Sequence, residues 1–257
     1  MKYHPFQRHL RTRFPEVSVS ESDNIRSLHL GTDTVQSAMN LNNPSELVLA
    51  YSRAMMTWLL FRNKTSHVTH IGLGGGSFVR WIAAFFPEIK QLAVEINPQI
   101  VSIANSMFAI PDENENFEIV IANGAEFIRV MQKTTDIILT DAFDGEQIID
   151  ELTETEFLTD CYNALTDKGI FVTNLWSADK RYQTFVKRIE EVFDNKVIEV
   201  SASRHGNVAV MGFKRLPENI SDEQLKKRAE QLTIATATDF MHGFHGVRGN
   251  NQKRKLW

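Results

Sequence analysis

From Val68 to Phe213 the sequence alternates between short apolar runs and amphipathic segments, and this pattern restricts the fold more than any other feature. The apolar runs consist almost entirely of valine, isoleucine and leucine, which is typical of strands buried on both faces of a parallel sheet. The segments between them have helical spacing. The pattern predicts an α/β fold, a Rossmann-like, doubly wound and mostly parallel sheet with helices on both faces. The runs are HVTHIGL, QLAVEI, FEIVIA, DIILTD and IFVTNL.

The chain divides into three predicted parts. Residues 1–42 contain short extended pieces separated by turn residues, which predicts a small N-terminal β-element. Residues 43–215 hold the Rossmann-like domain, and its last two apolar runs, KVIEVS and NVAVMGF, are expected to close as a C-terminal β-hairpin. Residues 216–257 are expected to form a C-terminal helix and a tail.

Two helices and the tail are predicted from local signals. Asn43 and Pro44 suit the cap and first position of a helix that runs to about Phe61. A second amphipathic helix is expected at 222–232. The segment after residue 242 is rich in glycine and basic residues, and we expect it to be solvated or poorly ordered.

Composition excludes several classes of protein. The 257 residues include 28 Lys and Arg and 32 Asp and Glu, a net charge of −4, whereas nucleic-acid-binding proteins are usually basic. The single cysteine, Cys161, rules out an internal disulfide framework and a multi-cysteine zinc site. No apolar run resembles a signal peptide or a membrane span. We therefore expect a cytoplasmic protein with no nucleic-acid or membrane partner.

A glycine-rich loop follows the first predicted strand. Gly72, Gly74, Gly75 and Gly76 stand between this strand and a helix that starts near Ser77. Glycine lets the chain turn tightly and lets a ligand approach the backbone, and the first turn of a helix presents unpaired N–H groups. Because ligands of such folds bind beyond the carboxyl ends of the strands, this loop is a candidate binding site.

Polar residues also follow the next two strands. Glu95 lies 23 residues after Gly72, close to the spacing at which a carboxylate binds ribose hydroxyls. Asn123 and Gly124 follow the third strand. The Asn123 amide oxygen could accept a hydrogen bond from an adenine amino group, or the pair could form only a helix cap and turn.

An acidic loop follows the fourth strand. Asp141 and Asp144 are three residues apart, and Glu146 follows them. Carboxylates at the end of a central strand are costly unless they are paired or meet a cation. This loop is therefore predicted to bind positive charge. No metal site is predicted, because His67 and His70 should face opposite sides of one strand.

These features, in this order, resemble the polyamine aminopropyltransferases, the spermidine and spermine synthase family. The resemblance runs from about Gln36 to Phe213. The loop GLGGGS is similar to the family's GGGDGG, and Gln36 resembles its glutamine ahead of the first helix. Glu95 matches the ribose-binding acid, and Asn123-Gly124 occupies the place of an Asp-Gly pair that contacts adenine. Asp141 and Asp144 match an acid pair whose first member is catalytic.

The resemblance implies a fold of the class I S-adenosylmethionine-dependent transferase type and a homo-oligomer, a dimer. It implies transfer of an aminopropyl group from decarboxylated S-adenosylmethionine to a small cationic amine such as putrescine, with Asp141 as the base. Gln36, the Gly72–Ser77 loop, Glu95, Asn123 and Gly124 would bind the nucleoside.

Three departures keep other functions open. Ser77 stands for an aspartate of the family's glycine loop that holds the free amine of the decarboxylated cofactor. Residues 49–51, Leu-Ala-Tyr, replace the family's Tyr-His-Glu, and Asn123 replaces an acid. An S-adenosylmethionine-dependent methyltransferase and a non-catalytic nucleoside-binding homologue remain alternatives. A nicotinamide-dependent dehydrogenase is less favoured, because it gives the acid pair no role.

Overall fold

The computed structural model describes residues 14–62, 64–141, 143–144, 147–203, 206–217 and 220–251. Its strands are β1 (Val17–Ser22), β2 (Ile25–Leu30), β3 (Val35–Asn40), β4 (His67–Ile71), β5 (Lys90–Glu95), β6 (Phe117–Ile121), β7 (Thr135–Thr140), β8 (Phe143–Asp144), β9 (Gln147–Ile148), β10 (Leu165–Trp176), β11 (Val197–Ser201) and β12 (Asn207–Phe213). Its helices are α1 (Ala50–Met55), α2 (Ser77–Phe85), α3 (Pro98–Met107), α4 (Gly124–Arg129), α5 (Thr155–Ala164), α6 (Tyr182–Val192), α7 (Asp222–Thr236) and α8 (Phe240–Asn250). Two 3-10 helices span Met56–Leu60 and Asp150–Thr153.

The predicted central sheet is confirmed. Seven strands form it in the order β11-β12-β10-β7-β4-β5-β6, and the five strands from β10 to β6 are mutually parallel. Strand β12 runs antiparallel to both β10 and β11, so the predicted C-terminal hairpin is also present. Its turn residues Arg204 and His205 lie outside the described residues.

Strand order reverses between β4 and β7, and this reversal positions the site. From β4 the chain builds outward through β5 and β6, then returns to add β7 on the other side of β4. The loops after β4 and β7 therefore leave the sheet side by side in opposite directions, which opens a crevice between them. The backbone N–H of Asp141 donates to the carbonyl of Ile71 at 3.0 Å, which fixes this junction.

Both faces of the sheet are covered by apolar side chains. On one face α1, α2, α7 and α8 bury Trp81, Leu225 and Phe240. On the other face α4, α5 and α6 bury Phe157 and Phe185. Burial on both sides explains why the strands lack an apolar–polar alternation and read as continuous apolar runs.

The N-terminal β-element is a separate antiparallel sheet of β1, β2 and β3, as predicted. Its buried Leu28 and Met39 pack on Phe108, which follows α3. Strand β3 thereby lies next to the glycine loop. The division of the chain at residues 42 and 215 remains a prediction.

Two local predictions are wrong. Helix α1 begins at Ala50 instead of Pro44, because residues 40–46 form turns in which Asn43 pairs with Asn40 and its carbonyl accepts from Glu46. The tail is helical as far as Asn250, and buried Phe244 and Val247 pack it against the core. Residues 252–257 of that tail lie outside the described residues.

Glycines in α8 serve close packing, which explains the error about the tail. A Cβ at Gly243 would lie 2.5 Å from Thr57 Oγ1, and one at Gly246 would lie 2.9 Å from Val200 Cγ1. The helix approaches the 3-10 helix and β11 so closely that only glycine fits there. In the described part of the chain, no helix is long and apolar enough to cross a membrane.

Candidate active site

A cavity of about 960 Å³ opens at the carboxyl ends of β4, β5, β6 and β7 and extends beneath the N-terminal sheet. The site residues predicted from the sequence that line it are Gln36, Gly72, Gly74, Ser77, Glu95, Asn123, Gly124 and Asp141. Gly75 and Gly76 do not line it. Asp144 belongs to β8, but its side chain lies outside the described part of the structure, as does all of Glu146.

The glycine loop divides into a part that faces the cavity and a part that packs inside the protein. Gly72 and Gly74 face the cavity. A Cβ at Gly75 would lie 2.7 Å from the Phe108 ring, and one at Gly76 would lie 2.3 Å from Ile110 Cγ2. The last two glycines are therefore needed for packing, and the sequence alone could not separate these two reasons for glycine.

Ser77 begins α2 and joins a polar cluster behind the loop. Its Oγ lies 3.2 Å from Ser37 Oγ, and both serines line the cavity. Arg80 is only 4% exposed and donates to the carbonyls of Pro44, Phe108 and Gly75. Burial lowers the pKa of the Arg80 guanidinium to about 10. Among the described lining residues, Ser37 and Ser77 contribute hydroxyl groups to the cavity wall at this point.

Glu95 ends β5 and is 5% exposed. Its carboxylate accepts from the backbone N–H groups of Leu73 and Asn97, both at 2.9 Å. Burial raises the pKa of Glu95, and these backbone hydrogen bonds partly oppose the rise. These bonds anchor the glycine loop to Glu95, whose side chain also lines the cavity.

Asn123 caps α4 with its side chain. Its Oδ1 accepts from the N–H groups of Ala125 and Glu126 at 2.8 and 3.2 Å. Of the two alternatives from the sequence, the structure therefore shows the helix cap. Its Nδ2 donates to Glu151 Oε2 at 3.2 Å. With the amide oxygen engaged in the cap, the neighbouring carboxylate of Glu151 is the acceptor that this corner of the cavity offers to an amino group.

Asp141 follows β7 and is held by neutral donors. Tyr51 Oη donates to Asp141 Oδ2 at 2.8 Å, and Asn174 Nδ2 donates to Oδ1 at 3.2 Å. Burial raises the pKa of Asp141 to about 6, although both hydrogen bonds lower it. Burial and the adjacent charge of Asp141 raise the pKa of Tyr51 well above its ordinary value.

The charged side chains that line the cavity in the described structure are all acidic. Asp141, Glu95 and Glu151 line it, and the lining residues within the described part include no Lys, Arg or His. Such a surface favours cationic ligands and disfavours phosphates. Within the described ranges, no group of three or more His, Cys, Asp or Glu is arranged to hold a metal ion.

Several cavity residues escaped the sequence analysis. They come from elements distant in sequence, and their types carry no motif. Tyr51 was noted there only as a replacement for a family acid, although its hydroxyl contacts Asp141. Trp176 is an exception, because the sequence places it after the fifth strand as a candidate wall of the crevice. It ends β10, lines the cavity and is 49% exposed, an unusual state for tryptophan. The other residues that the sequence did not indicate are Ser37, Asn174 and Asn207. Glu151 belongs to the acidic segment after the fourth strand, which is predicted to bind positive charge.

Comparisons with known proteins agree with this geometry. The model of the spermine/spermidine synthase domain matches residues 48–214. A polyamine aminopropyltransferase of Neisseria meningitidis serogroup A is 55% identical over 254 residues, which cover 98% of this chain and 97% of the relative.

Solved structures support the fold. A probable spermidine synthase from Corynebacterium glutamicum has a TM-score of 0.69 at 17% identity and covers 87% of this chain and 91% of its own. Human methyltransferase-like protein 13 in complex with SAH has a TM-score of 0.65 at 21% identity. The match covers 73% of this chain and 92% of the human chain. At these identities the solved structures show the fold alone, whereas the family model and the 55% identical relative show the family. The chain belongs to the spermine/spermidine synthase family.

Proposed function

We propose that the protein is a polyamine aminopropyltransferase of the spermidine synthase type. It would move the aminopropyl group of decarboxylated S-adenosylmethionine to an amine such as putrescine and release methylthioadenosine. The observation that carries this proposal is the carboxylate of Asp141, which stands at the strand-order reversal in a cavity lined by three acids, with no cation among its described lining residues. The name of the 55% identical Neisseria relative supports the same activity.

The nucleoside would bind between β4, β5 and β6. Glu95 lines the cavity at the end of β5, and its carboxylate accepts from the ribose hydroxyls. Adenine lies beside Asn123 and Gly124, where Glu151 accepts from its amino group. The sulfonium rests on the cavity side of the loop, at Gly72 and Gly74, near Gln36 and Ser77.

The chemical step is a displacement at carbon. The acceptor nitrogen forms a bond to the propyl carbon next to sulfur, the carbon–sulfur bond breaks, and sulfur keeps its electron pair in neutral methylthioadenosine. Because an amine with a pKa of about 10.4 is protonated at pH 7, freeing its lone pair costs roughly 4–5 kcal/mol. Asp141 takes this proton, and its pKa of about 6 lies close to neutral pH, which suits a general base.

Selection of a cationic acceptor follows from charge. One carboxylate about 4 Å from an ammonium attracts it by roughly 4 kcal/mol before desolvation, at an effective dielectric constant near 20. Asp141 supplies this attraction, and Asp144 is proposed to supply more. We also propose that the protein works in the cytoplasm as a homodimer, with no nucleic-acid or membrane partner and no metal.

A second candidate is methyl transfer from S-adenosylmethionine. The hydroxyl groups of Ser37 and Ser77 favour it, because Ser77 replaces the family's aspartate and a serine does not repel the carboxylate of the undecarboxylated cofactor. The two activities therefore differ in a preference that binding measurements can determine.

The test is incubation of the purified protein with decarboxylated S-adenosylmethionine and putrescine, cadaverine or spermidine. Mass spectrometry should detect methylthioadenosine and a polyamine that is one aminopropyl group heavier. Parallel reactions with S-adenosylmethionine should give neither product. Calorimetry should show tighter binding of the decarboxylated form. Methylated amine together with S-adenosylhomocysteine would instead establish the methyltransferase.

A further inference from the structure

A chain of side-chain hydrogen bonds runs from the β10–β12 pairing to Asp141. Asn207 Nδ2 donates to Asn174 Oδ1 at 3.1 Å, and Asn174 Nδ2 donates to Asp141 Oδ1 at 3.2 Å. Asn174 is only 2% exposed. Asn207 begins β12, and its position in the sheet is fixed by antiparallel pairing with Trp176 of β10.

The direction of these bonds is determined by chemistry. An ionised carboxylate can only accept, so Asn174 must turn its NH2 group to Asp141 in order to bond to it. This orientation leaves the Asn174 oxygen facing Asn207, which must then act as a donor. Two amides in series thus deliver one N–H to the carboxylate. With an acceptor at position 207, the Asn174 amide would be drawn into the opposite orientation.

We propose that Asn207 is a positioning residue that acts through Asn174. Its amide holds the Asn174 side chain in the orientation that donates to Asp141, and so keeps the carboxylate aimed into the cavity and ready to accept a proton. This inference rests on the proposed function, in which Asp141 is the base. Asn207 also lines the cavity, but its bond to Asn174 is sufficient for this role.

Few groups act on Asp141 in the described structure. Two side chains donate hydrogen bonds to it: Tyr51 of α1, which is titratable, and Asn174 of β10, which is not. Glu95 and Glu151 line the same cavity but are bonded to backbone N–H groups and to Asn123. Loss of the Asn174 donor should therefore raise the pKa of Asp141, because that bond lowers it now.

The experiment compares Asn207→Ala, Asn207→Asp and Asn174→Ala by the pH dependence of kcat and by KM for the nucleoside. Asn207→Ala should lower kcat about 2-fold at pH 7, because a rise of roughly one unit from a pKa of about 6 leaves about half of Asp141 ionised. It should move the acid limb of the profile to higher pH and leave KM nearly unchanged. Asn207→Asp should shift the limb further, because an acceptor turns the Asn174 oxygen toward Asp141 and adds negative charge.

A double-mutant cycle separates action through Asn174 from other effects. If Asn207 acts through Asn174, the Asn207→Ala change should have no further effect in an Asn174→Ala background. The control is Asn251→Ala, which removes bonds to the backbone of Glu199 and Val247 away from the cavity. It should lower the melting temperature and leave the acid limb in place.

Two outcomes overturn the proposal: an acid limb that does not move in Asn207→Ala, or a full Asn207→Ala effect in the Asn174→Ala background. Titration of 13C-labelled aspartate by NMR gives the same answer without turnover. If the wild-type protein transfers no aminopropyl group, the proposed function fails, and the NMR titration still decides whether Asn207 controls the Asp141 carboxylate.

Discussion

Strand β7 carries an aspartate near each end, and the two are held in opposite ways. Asp136, at the amino end, accepts from Arg62 Nη2, Ser66 N and Thr166 Oγ1, each at 2.8 Å. Burial alone would raise the pKa of Asp136, but these bonds, with Arg62 supplying positive charge, outweigh burial and lower it. Its charge is thus matched inside the structure.

Asp141, just past the carboxyl end, has only Tyr51 and Asn174 as donors, and burial raises its pKa to about 6. Within the described residues, no Lys or Arg forms an ion pair with it. A carboxylate satisfied by a cation stabilises the fold and is unsuited to accept a proton. A carboxylate kept away from cations is costly to the fold and suited to proton transfer, as in many active sites.

The largest expected effect comes from removing the proposed base. Asp141→Asn should lower kcat by about 10²- to 10⁴-fold, the usual contribution of a general base. The amide is nearly isosteric and stays next to Tyr51, so methylthioadenosine should bind with little change in calorimetry. Turnover close to that of the wild type would show that Asp141 is not the base. The proposed difference between a reactive Asp141 and a stabilising Asp136 would then be wrong.

The matching change at the other end of β7 should affect stability instead of turnover. Asp136→Asn leaves Arg62 without its ion-pair partner and should cost about 2–4 kcal/mol in the free energy of unfolding. The folded-state pKa of Asp136 is lowered, so its stabilisation is present above the unfolded-state pKa and disappears as the pH falls. The difference between wild type and variant should therefore shrink in acid.

Urea unfolding at pH 7 and below pH 4 measures this effect, and kcat should stay within about twofold of wild type. A large loss of kcat in the folded Asp136→Asn protein would mean that the two ends of β7 are coupled. The division between a stabilising and a reactive aspartate would then be wrong.

The sequence predicts one side of the cavity better than the other. Gly72, Glu95, Asn123 and Asp141 could be placed together because carboxyl ends of parallel strands meet at one edge. Tyr51 could not, because its position depends on where α1 begins, and turns delay that start to Ala50. The roles proposed for these residues, including Asp144, remain predictions.

Asn174 and Asn207 show the second reason for incomplete prediction. Asn174 lies within a run of apolar residues, and Asn207 follows a turn, where asparagine is common. Only the antiparallel register of β10 and β12 brings the two amides together. Hydrogen-bonded chains between strands leave no spacing in the sequence, whereas helix and strand periodicity does.

The smallest effect sharpens the contrast by changing one donor to Asp141. The Tyr51 hydroxyl donates to Asp141 Oδ2, and this hydrogen bond lowers the Asp141 pKa. Tyr51→Phe removes the bond, so the Asp141 pKa should rise further above its ordinary value. Asp141 accepts a proton only when ionised, and a higher pKa therefore moves the acid limb of kcat to higher pH. We expect kcat to fall about 10-fold at pH 7 and to recover in part in more alkaline buffer.

Tyr182→Phe is the matched control, because the Tyr182 hydroxyl donates to the carboxylate of Glu199, and neither residue lines the cavity. Both variants remove one hydroxyl bonded to a carboxylate, so equal losses of turnover would indicate general damage. A loss in Tyr51→Phe with an unmoved acid limb would also contradict the argument. Tyr51 would then orient the substrate, and burial and Asn174 alone would determine the pKa of Asp141.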